Sequence, residues 1–543
     1  MKLDLQDAYH LVAVFPDHCK FLRFVWKEIF YEYVCLPFGL CSAPRVFTKL
    51  LRPVVAYLRS LGIRLIIYLD DLLILNGSIS GLLHDLKIVI DLLELLGFII
   101  NCKKSVFTPQ QLMEYLGMLI DSTKLEFSLP PEKVSSIVSL CREVLYSDAS
   151  GKVTLRVIAK IMGNFSFAIP TVPFAQGHFR ELQSLFISQS SKGLDGSVSL
   201  SVGARADLEW WMCHLESSNG KSFCSFTPDL VIFSDASLHG WGAVCDGSRT
   251  RGPWAAADLR RHINELELLA AFYALQVFTR FSRDINVTLF LDNSTAVAYI
   301  NKCGGTRSRA LSLIAADFVR WCEDRNISLL ASHLPGSLNS VADEESRTTL
   351  DSSDWMLLAS EFRKLSNLWE INIDLFAAAW NAQLPTFVSW LPQPGASAVN
   401  AFSLNWTDLR GYAFPPFALI PRCLAKLRRE RADLVLVCPL WPSQAWFPLL
   451  LRMSVDCPRV LSSDPHLVHS PILDPHPLLL SGKFLLTAWK LSGDVSKIED
   501  FQKTLSRFCW DTTVTPRRLL ISRRGTAGLI GTTNGIPIPC FLL

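Results

Sequence analysis

The sequence predicts a multidomain protein of the α/β and α+β classes, and three observations carry that expectation. Its 543 residues exceed what a single hydrophobic core organises, so three or four domains are expected. Residues 1–120 alternate short apolar runs with turn signals and helical patterns, whereas 126–227 is richer in helix signals. From Leu230 onward strands alternate with amphipathic helices, the pattern of a mixed α/β sheet. The expected divisions are therefore 1–125, 126–227, 228–350, a further α/β region at 365–455, and a C-terminal tail at 456–543 whose fold the pattern leaves open.

Composition bounds the function classes. Half of the chain is hydrophobic and 19% is charged, which describes a globular protein and argues against extended disorder. The formal net charge is only +3, so an electrostatic footprint for a polyanionic partner must be local. The 15 cysteines stand mostly singly among apolar residues, as in Val34-Cys35-Leu36, with no C-x-x-C pair, and read as reduced core thiols of an intracellular protein, nucleus or cytoplasm being left open. Met1-Lys2-Leu3-Asp4 has no apolar run of the secretory type. The most apolar stretch, Leu434 to Leu451, is broken by Pro439, Pro442 and Pro448 and reads as a buried strand, a loop and a helix rather than a membrane span.

Element by element, Pro130-Pro131-Glu132 opens a helix, because proline is tolerated in the first turn, and Ser188 to Ser201, rich in Ser and Gly, is expected to be an exposed loop. Leu230–Phe233 is a strand, followed by a Gly-rich hairpin and a helix from about Asn264 to Thr279. Strands at Val287–Leu291 and Ile327–Ala331 flank another helix, and polar Thr348 to Ser353 marks a boundary.

Two acidic constellations carry the chemistry. The first has three segments in order. Leu3-Asp4-Leu5-Gln6-Asp7-Ala8-Tyr9 is a strand entering a polar turn, and Leu36-Pro37-Phe38-Gly39-Leu40 is a loop feeding a helix. Ile66-Ile67-Tyr68-Leu69-Asp70-Asp71-Leu72-Leu73 is two apolar strands meeting at an acidic turn. A hairpin turn explains Asp70-Asp71 by itself, but not the acid at Asp4 on a neighbouring strand. Carboxylates on rigid strands suit hard divalent cations, which stabilise both oxygens of an in-line displacement at phosphorus.

The second constellation is Asp235 in Phe233-Ser234-Asp235-Ala236, Glu267 in Leu266-Glu267-Leu268, Asp292 in Leu291-Asp292-Asn293-Ser294, and His333 with Asp343 further on. Two of the acids end apolar strands, where a charge is costly without a partner. Two alternatives remain open at this level. Asp292 is also placed to cap the helix that begins near Ser294, and Glu265 competes with Glu267, whose helical face favours it.

On these motifs the chain resembles, over nearly its whole length, the reverse transcriptase and ribonuclease H polyprotein of DIRS-like retrotransposons, the tyrosine-recombinase group. The resemblance implies a polymerase palm, an antiparallel sheet with helices, at 1–125, a helical thumb and connection at 126–227, a ribonuclease H-like domain at 228–350 and a degenerate adenine-methyltransferase-like region at 365–455. It assigns Asp4, Asp70 and Asp71 as metal-binding palm carboxylates and Tyr9 as the residue that excludes a 2′-OH. Phe38 and Gly39 would line the nucleotide and template, Lys104 would face the leaving pyrophosphate, and Glu114-Tyr115-Leu116-Gly117 is similar to a primer grip. It assigns Asp235, Glu267, Asp292 and Asp343 as ribonuclease H metal ligands, with His333 assisting product release. The cofactor implied is Mg²⁺, with Mn²⁺ as the alternative.

The partners implied are an RNA template, a DNA primer, an RNA–DNA hybrid and deoxynucleoside triphosphates, with a tyrosine recombinase encoded elsewhere in the element and no membrane. In such proteins a fingers segment precedes the first Asp motif, so the chain is expected to be N-terminally truncated. The alternative to an active enzyme is a decayed copy that binds nucleic acid without polymerising. In the third region Ile373-Asp374-Leu375-Phe376-Ala377 and Ala413-Phe414-Pro415-Pro416-Phe417 are similar to phage-type adenine N6-methyltransferases, but Phe414 stands where those enzymes hydrogen-bond the target amine. A structural or binding remnant is expected there. The basic residues Lys426, Arg428, Arg429 and Arg431, with Arg517, Arg518, Arg523 and Arg524, are candidate phosphate contacts.

Overall fold

The computed structural model describes residues 1–149, 153–224, 226–255, 257–348, 354–470, 475–480, 485–506 and 527–543. The chain divides into two compact units, Met1–Ser225 and Phe226–Leu543.

The first unit opens with an antiparallel four-stranded sheet in the order Arg64–Tyr68, Asp71–Leu75, Lys2–Gln6, Ile99–Ile100. Helix Ala43–Ser60 buries Phe47, Leu51, Val55 and Leu58, and helix Ile79–Leu95 buries Leu82, Leu86, Val89 and Leu93. The three- and four-residue spacing lays each set along one stripe. Both stripes close on Leu3, Leu5, Leu65, Leu72 and Ile74 of the sheet, each such burial contributing about 1.5–3 kcal/mol. Alternation in the strand leaves Asp4 between Leu3 and Leu5, with Asp4 paired across the sheet to Asp71.

A second sheet has the order Lys221–Ser222, Glu126–Ser128, Met118–Asp121, Leu112–Tyr115, and four helices lie in the chain between Glu126–Ser128 and Lys221–Ser222: Pro131–Ala149, Leu155–Ala168, Arg180–Gln189 and Val202–His214. Their core includes Ile137, Ile158, Ile161 and Leu208, with the Phe165 and Trp211 rings stacked 4.2 Å apart.

The second unit begins with a five-stranded sheet in the order Ser248–Pro253, Gly240–Cys245, Leu230–Ala236, Asn286–Leu291, Ser328–His333. The first three strands pair antiparallel and the last two join in parallel. Helix Ile263–Phe278 packs on it through Leu266, Leu268, Ala271 and Leu275, all buried. Helix Ser340–Arg347 lies directly on the backbone of Gly242. A Cβ there would come 2.6 Å from Ala342 O and closer still to Ser346 N, so the approach depends on glycine.

A seven-stranded sheet follows, in the order Ile373–Asp374, Arg410–Ala413, Asp433–Pro439, Leu486–Ser492, Arg459–Val460, Ile536–Leu542, Ala527–Thr533. Four of these strands come from 456–543, the stretch whose fold the sequence pattern leaves open. Within one sheet they pack against the same core as 365–455, including Trp406, Leu436, Trp489 and Ile538. Prolines and short strands hide this relation from sequence, because it depends on non-local pairing. The apolar 434–451 stretch is, as its prolines imply, a strand (Asp433–Pro439), a turn and a helix (Phe447–Met453). Among the described residues no helix is long and apolar enough to cross a membrane.

Candidate active sites

The Tyr68-to-Asp71 segment is a two-residue hairpin in which Tyr68 pairs with Asp71. Leu69 occupies its first loop position with φ +56°, a left-handed conformation that costs a non-glycine residue energy and turns the chain tightly enough to present Asp70. The turn is tied to the neighbouring strand, since Leu5 N–H donates to Asp70 O at 3.0 Å. The other side of that strand is held by the 101–105 loop. Asn101 N–H donates to Asp4 O at 2.8 Å, and Asp4 N–H donates to Ser105 Oγ at 3.0 Å.

These ties close a cavity of about 180 Å³ lined by Asp4, Asp70, Tyr9, Phe38 and Lys104, five residues singled out from widely separated motifs, together with Gln6, Asp7 and Asn101. The Tyr9 ring sits 5.3 Å from Phe38 and edge-on to Phe47 at 5.4 Å, so Tyr9 forms a firm wall. Burial, then the charges of Asp71 and Asp4, push the Asp70 carboxyl above its ordinary range, while Lys104 opposes the shift. Asp71 and Gly39 do not line the cavity. Asp71 Oδ1 lies 3.2 Å from Lys2 Nζ, and Gly39 serves the loop through its φ of +89° with open space where a Cβ would be. Tyr115, in the segment similar to a primer grip, donates from its hydroxyl to Asp71 O at 3.2 Å.

In the second unit, Asp235, Glu267 and Asp292 bring one carboxylate oxygen each within 4.8 Å of the others. Among the described residues they are the set of three acids, histidines or cysteines that meets this closely. Asp235 lies near the end of the central strand, Asp292 follows its parallel neighbour, and Glu267 projects from the helix packed on the central strand. Asp235 and Glu267 are 4% and 6% exposed, and Glu267 Oε2 is buried without a hydrogen-bond partner. Burial, and then the neighbouring carboxylates, drive both acids well above the usual carboxylate range, Glu267 the further of the two. Such crowding of hard oxygen donors, one of them orphaned, fits a divalent cation of the Mg²⁺ type.

The structure resolves both open alternatives. The helix Ser294–Asn301 is capped by Asn293, whose Oδ1 accepts from Thr295 and Ala296 N–H at 3.0 Å each, which leaves Asp292 to the cluster. Glu265 is engaged by Arg261 at 3.5 Å and is not among the three acids that converge. Asp343 stands outside the close set, its Oδ1 held by Arg347. His333 is exposed at the end of the last strand, in register with Leu291, the residue before Asp292. The Pro335-Gly336 turn passes so near that a Cβ on Gly336 would meet Asp292 Oδ2 at 3.2 Å.

Comparison with known proteins matches residues 1–120 to the family described as reverse transcriptase (RNA-dependent DNA polymerase). The chain carries a reverse transcriptase domain.

Curated relatives that match include polyproteins of mobile elements and of a virus. A retrovirus-related Pol polyprotein from transposon opus of Drosophila melanogaster is 24% identical over 369 residues, covering 64% of this chain and 34% of that protein. Polyprotein P3 of Commelina yellow mottle virus is 21% identical over 369 residues, covering 64% and 18%. The transposon Tf2-3 polyprotein of Schizosaccharomyces pombe is 31% identical over 116 residues, covering 21% and 8%. The chain thus spans about a third or less of the length of these relatives. Among solved structures, the foamy viral protease-reverse transcriptase in complex with an RNA/DNA hybrid is 20% identical with a TM-score of 0.36, covering 66% of this chain and 47% of that one.

Several residues around the reverse transcriptase domain's cavity and the downstream cluster were not legible as functional. Gln6 and Asn101 line the cavity, but a lone amide next to a turn carries no signal in sequence. Ser346 donates to Asp235 Oδ2 at 2.7 Å, and buried Asn339 donates from Nδ2 to Ser234 O at 3.0 Å. A repeated Gly-x-Gly at 240–242 was the available hint that a helix approaches that strand.

In the third region Asp374 is buried and accepts from the Phe376 and Gln383 N–H groups, and burial pushes its carboxyl up to about 6. Phe414 packs near Phe417, their rings 6.5 Å apart. Two of the candidate phosphate contacts have internal partners. Lys426 is buried, pairs with Glu430 at 2.6 Å and lies over Trp406, and Arg429 also pairs with Glu430. Arg517, Arg518, Arg523 and Arg524 lie outside the described residues.

Proposed function

We propose that this chain is a retrotransposon enzyme of the DIRS-like group that copies RNA into DNA and hydrolyses the RNA of the resulting hybrid. The polymerase half of this reading is supported by the reverse transcriptase family match and by the cavity that gathers Asp4, Tyr9, Phe38, Asp70 and Lys104. The observation that carries the hydrolase half is the Asp235–Glu267–Asp292 cluster with its unpartnered Glu267 Oε2.

In the cavity, Asp4 and Asp70 would hold divalent cations, Mg²⁺ by preference or Mn²⁺, and the Tyr9 ring would lie under the sugar and refuse a 2′-OH. Phe38 would cover the base, Gly39 would give its loop the turn it needs, and Lys104 would stand ready to protonate pyrophosphate. Asp71, paired with Lys2, acts from outside the cavity wall. Downstream, Asp235, Glu267 and Asp292 would hold cations with Asp343 as the fourth ligand, and exposed His333 would assist departure of the cleaved strand. The chemistry supplied by bound cations at either site is charge neutralisation at the scissile phosphate and activation of the attacking oxygen. The substrates on this reading are an RNA template, a DNA primer, deoxynucleoside triphosphates and an RNA–DNA hybrid, gripped through phosphates and 2′-OH groups rather than base edges. Integration would fall to a tyrosine recombinase encoded elsewhere. The third region acts as a structural or binding module, since Phe414 offers no acceptor to a target amine.

The test uses the purified chain with a labelled RNA·DNA hybrid and Mg²⁺, scored for RNA cleavage and primer extension. Cleavage that disappears in Asp235→Asn, with extension that disappears in Asp70→Asn, is the expected result. A folded preparation that neither cleaves nor extends overturns the reading.

A further inference from the structure

The fourth acid of the downstream cluster is engaged by a cation of its own chain. Arg347 Nε and Nη2 approach Asp343 Oδ1 at 2.7 and 2.6 Å, and Asp343 is absent from the set of carboxylates that converge within 4.8 Å. Both residues lie on helix Ser340–Arg347, four positions apart on one face.

The backbone of that helix is fixed in three ways. Ser346 donates to buried Asp235, Glu345 is clamped by Arg249 at 3.3 Å and Arg251 at 2.9 Å, and the helix backbone rests on Gly242 with no room for a side chain between them. The helix therefore has little freedom to bring Asp343 closer, and the change left to it is rotation of the Asp343 side chain. That side chain is 38% exposed and Arg347 is 70% exposed, so the pair is open to solvent and can exchange. The fields of Asp235 and Glu267 repel an Asp343 carboxylate that turns inward without a cation present, and Arg347 offers it a better partner outward.

We propose that Arg347 is a positioning residue that competes with the divalent cation for Asp343. With the cluster free of cation, Arg347 holds Asp343 outward. Cation loading draws Asp343 in and releases the guanidinium. This rests on the reading of the cluster as a hydrolase metal site and adds to it an internal competitor that sets its affinity.

The experiment is calorimetric titration of the full chain with Mn²⁺ in the absence of nucleic acid, the downstream site being taken as the binding that Asp235→Asn removes. An exposed ion pair is worth little, so Arg347→Ala should tighten that binding by roughly two- to fivefold. Arg347→Lys, which keeps the charge but loses the fork geometry, should fall between the two. In an Asp343→Asn background the Arg347→Ala change should have no effect. Thermal unfolding of the cation-free variants checks that the exposed substitution leaves the fold intact. Unchanged or weaker Mn²⁺ binding in Arg347→Ala, with Asp235-dependent binding present in the natural chain, overturns the competition alone. Absence of any Asp235-dependent binding in the natural chain overturns the hydrolase reading and the competition together.

Discussion

The Ser346 hydroxyl donates a 2.7 Å hydrogen bond to Oδ2 of Asp235, although the two residues lie 111 positions apart in the chain. Both are buried, and the bond opposes the upward push that burial gives the Asp235 carboxyl. Ser346→Ala should remove a hydrogen bond to a charged group and cost about 1.5–3 kcal/mol in urea unfolding. RNA cleavage should fall with it, and Ser346→Thr should restore part of both. Cleavage unaffected by Ser346→Ala would show that Asp235 needs no such support.

Gly242→Ala tests the close approach that makes this bond possible. A Cβ would collide with Ala342 O and Ser346 N, so the helix must lift, at a cost of about 1–3 kcal/mol. Cleavage should be lost while primer extension, which the proposed function assigns to the other compact unit, persists. Equal loss of both activities argues against this division of labour.

Glu267→Gln addresses the crowding of charge. Because burial and then the neighbouring carboxylates raise the Glu267 pKa to about 9, the folded state keeps a proton that the unfolded chain has lost, so stability falls as pH rises from the ordinary carboxylate pKa through about 9. In a chelating buffer at alkaline pH the variant should therefore be more stable than the natural chain by on the order of 1–2 kcal/mol, read as a higher unfolding temperature. Added millimolar Mg²⁺ should stabilise the natural chain and do less for the variant. A natural chain whose unfolding is indifferent to both chelator and Mg²⁺ contradicts the assignment of a cation to this cluster.

Tyr9 forms one wall of the cavity between Asp4, Asp70 and Phe38. If it excludes a 2′-OH, Tyr9→Ala should narrow the preference for deoxynucleotides over ribonucleotides by about tenfold or more, read as the ratio of kcat/KM values. Unchanged discrimination would make Tyr9 a packing residue only.

Asp207, buried in the four-helix core, accepts from Leu182 N–H at 2.9 Å, and burial pushes its carboxyl up to about 7. The folded state holds this proton more tightly than the unfolded chain, so the contribution is favourable below the ordinary carboxylate pKa and is lost as pH rises toward about 7. Asp207→Asn should flatten the pH dependence of stability across that window and stabilise the protein above it by about 1–3 kcal/mol. A variant with the same pH profile as the natural chain rules out Asp207 as its source.

Much of the architecture was legible because its signals are local. Strand Leu230–Ala236, helix Ile263–Phe278 and strand Asn286–Leu291 follow from apolar periodicity, and the acids at their ends stand out because charge there needs a reason. The seven-stranded sheet was not legible as one body, since Leu486–Ser492 and Ile536–Leu542 join it only through pairings with distant strands. Glycine at 242 and serine at 346 carry no periodic signal, and their roles exist only where the helix meets the strand.

By itself, the sequence determined the order and identity of the acids, because Asp70, Asp235 and Asp292 sit at the ends of short apolar runs, and Asp4 within one, whose strand character is set by near neighbours. Tertiary structure decided which of those carboxylates meet. It placed Glu267 rather than Glu265 against Asp235 and gave the helix cap to Asn293 rather than Asp292. It also turned Asp343 toward Arg347 and Asp71 toward Lys2. Those choices turn on electrostatic competition over a few ångströms between groups from different elements, which a linear pattern does not record.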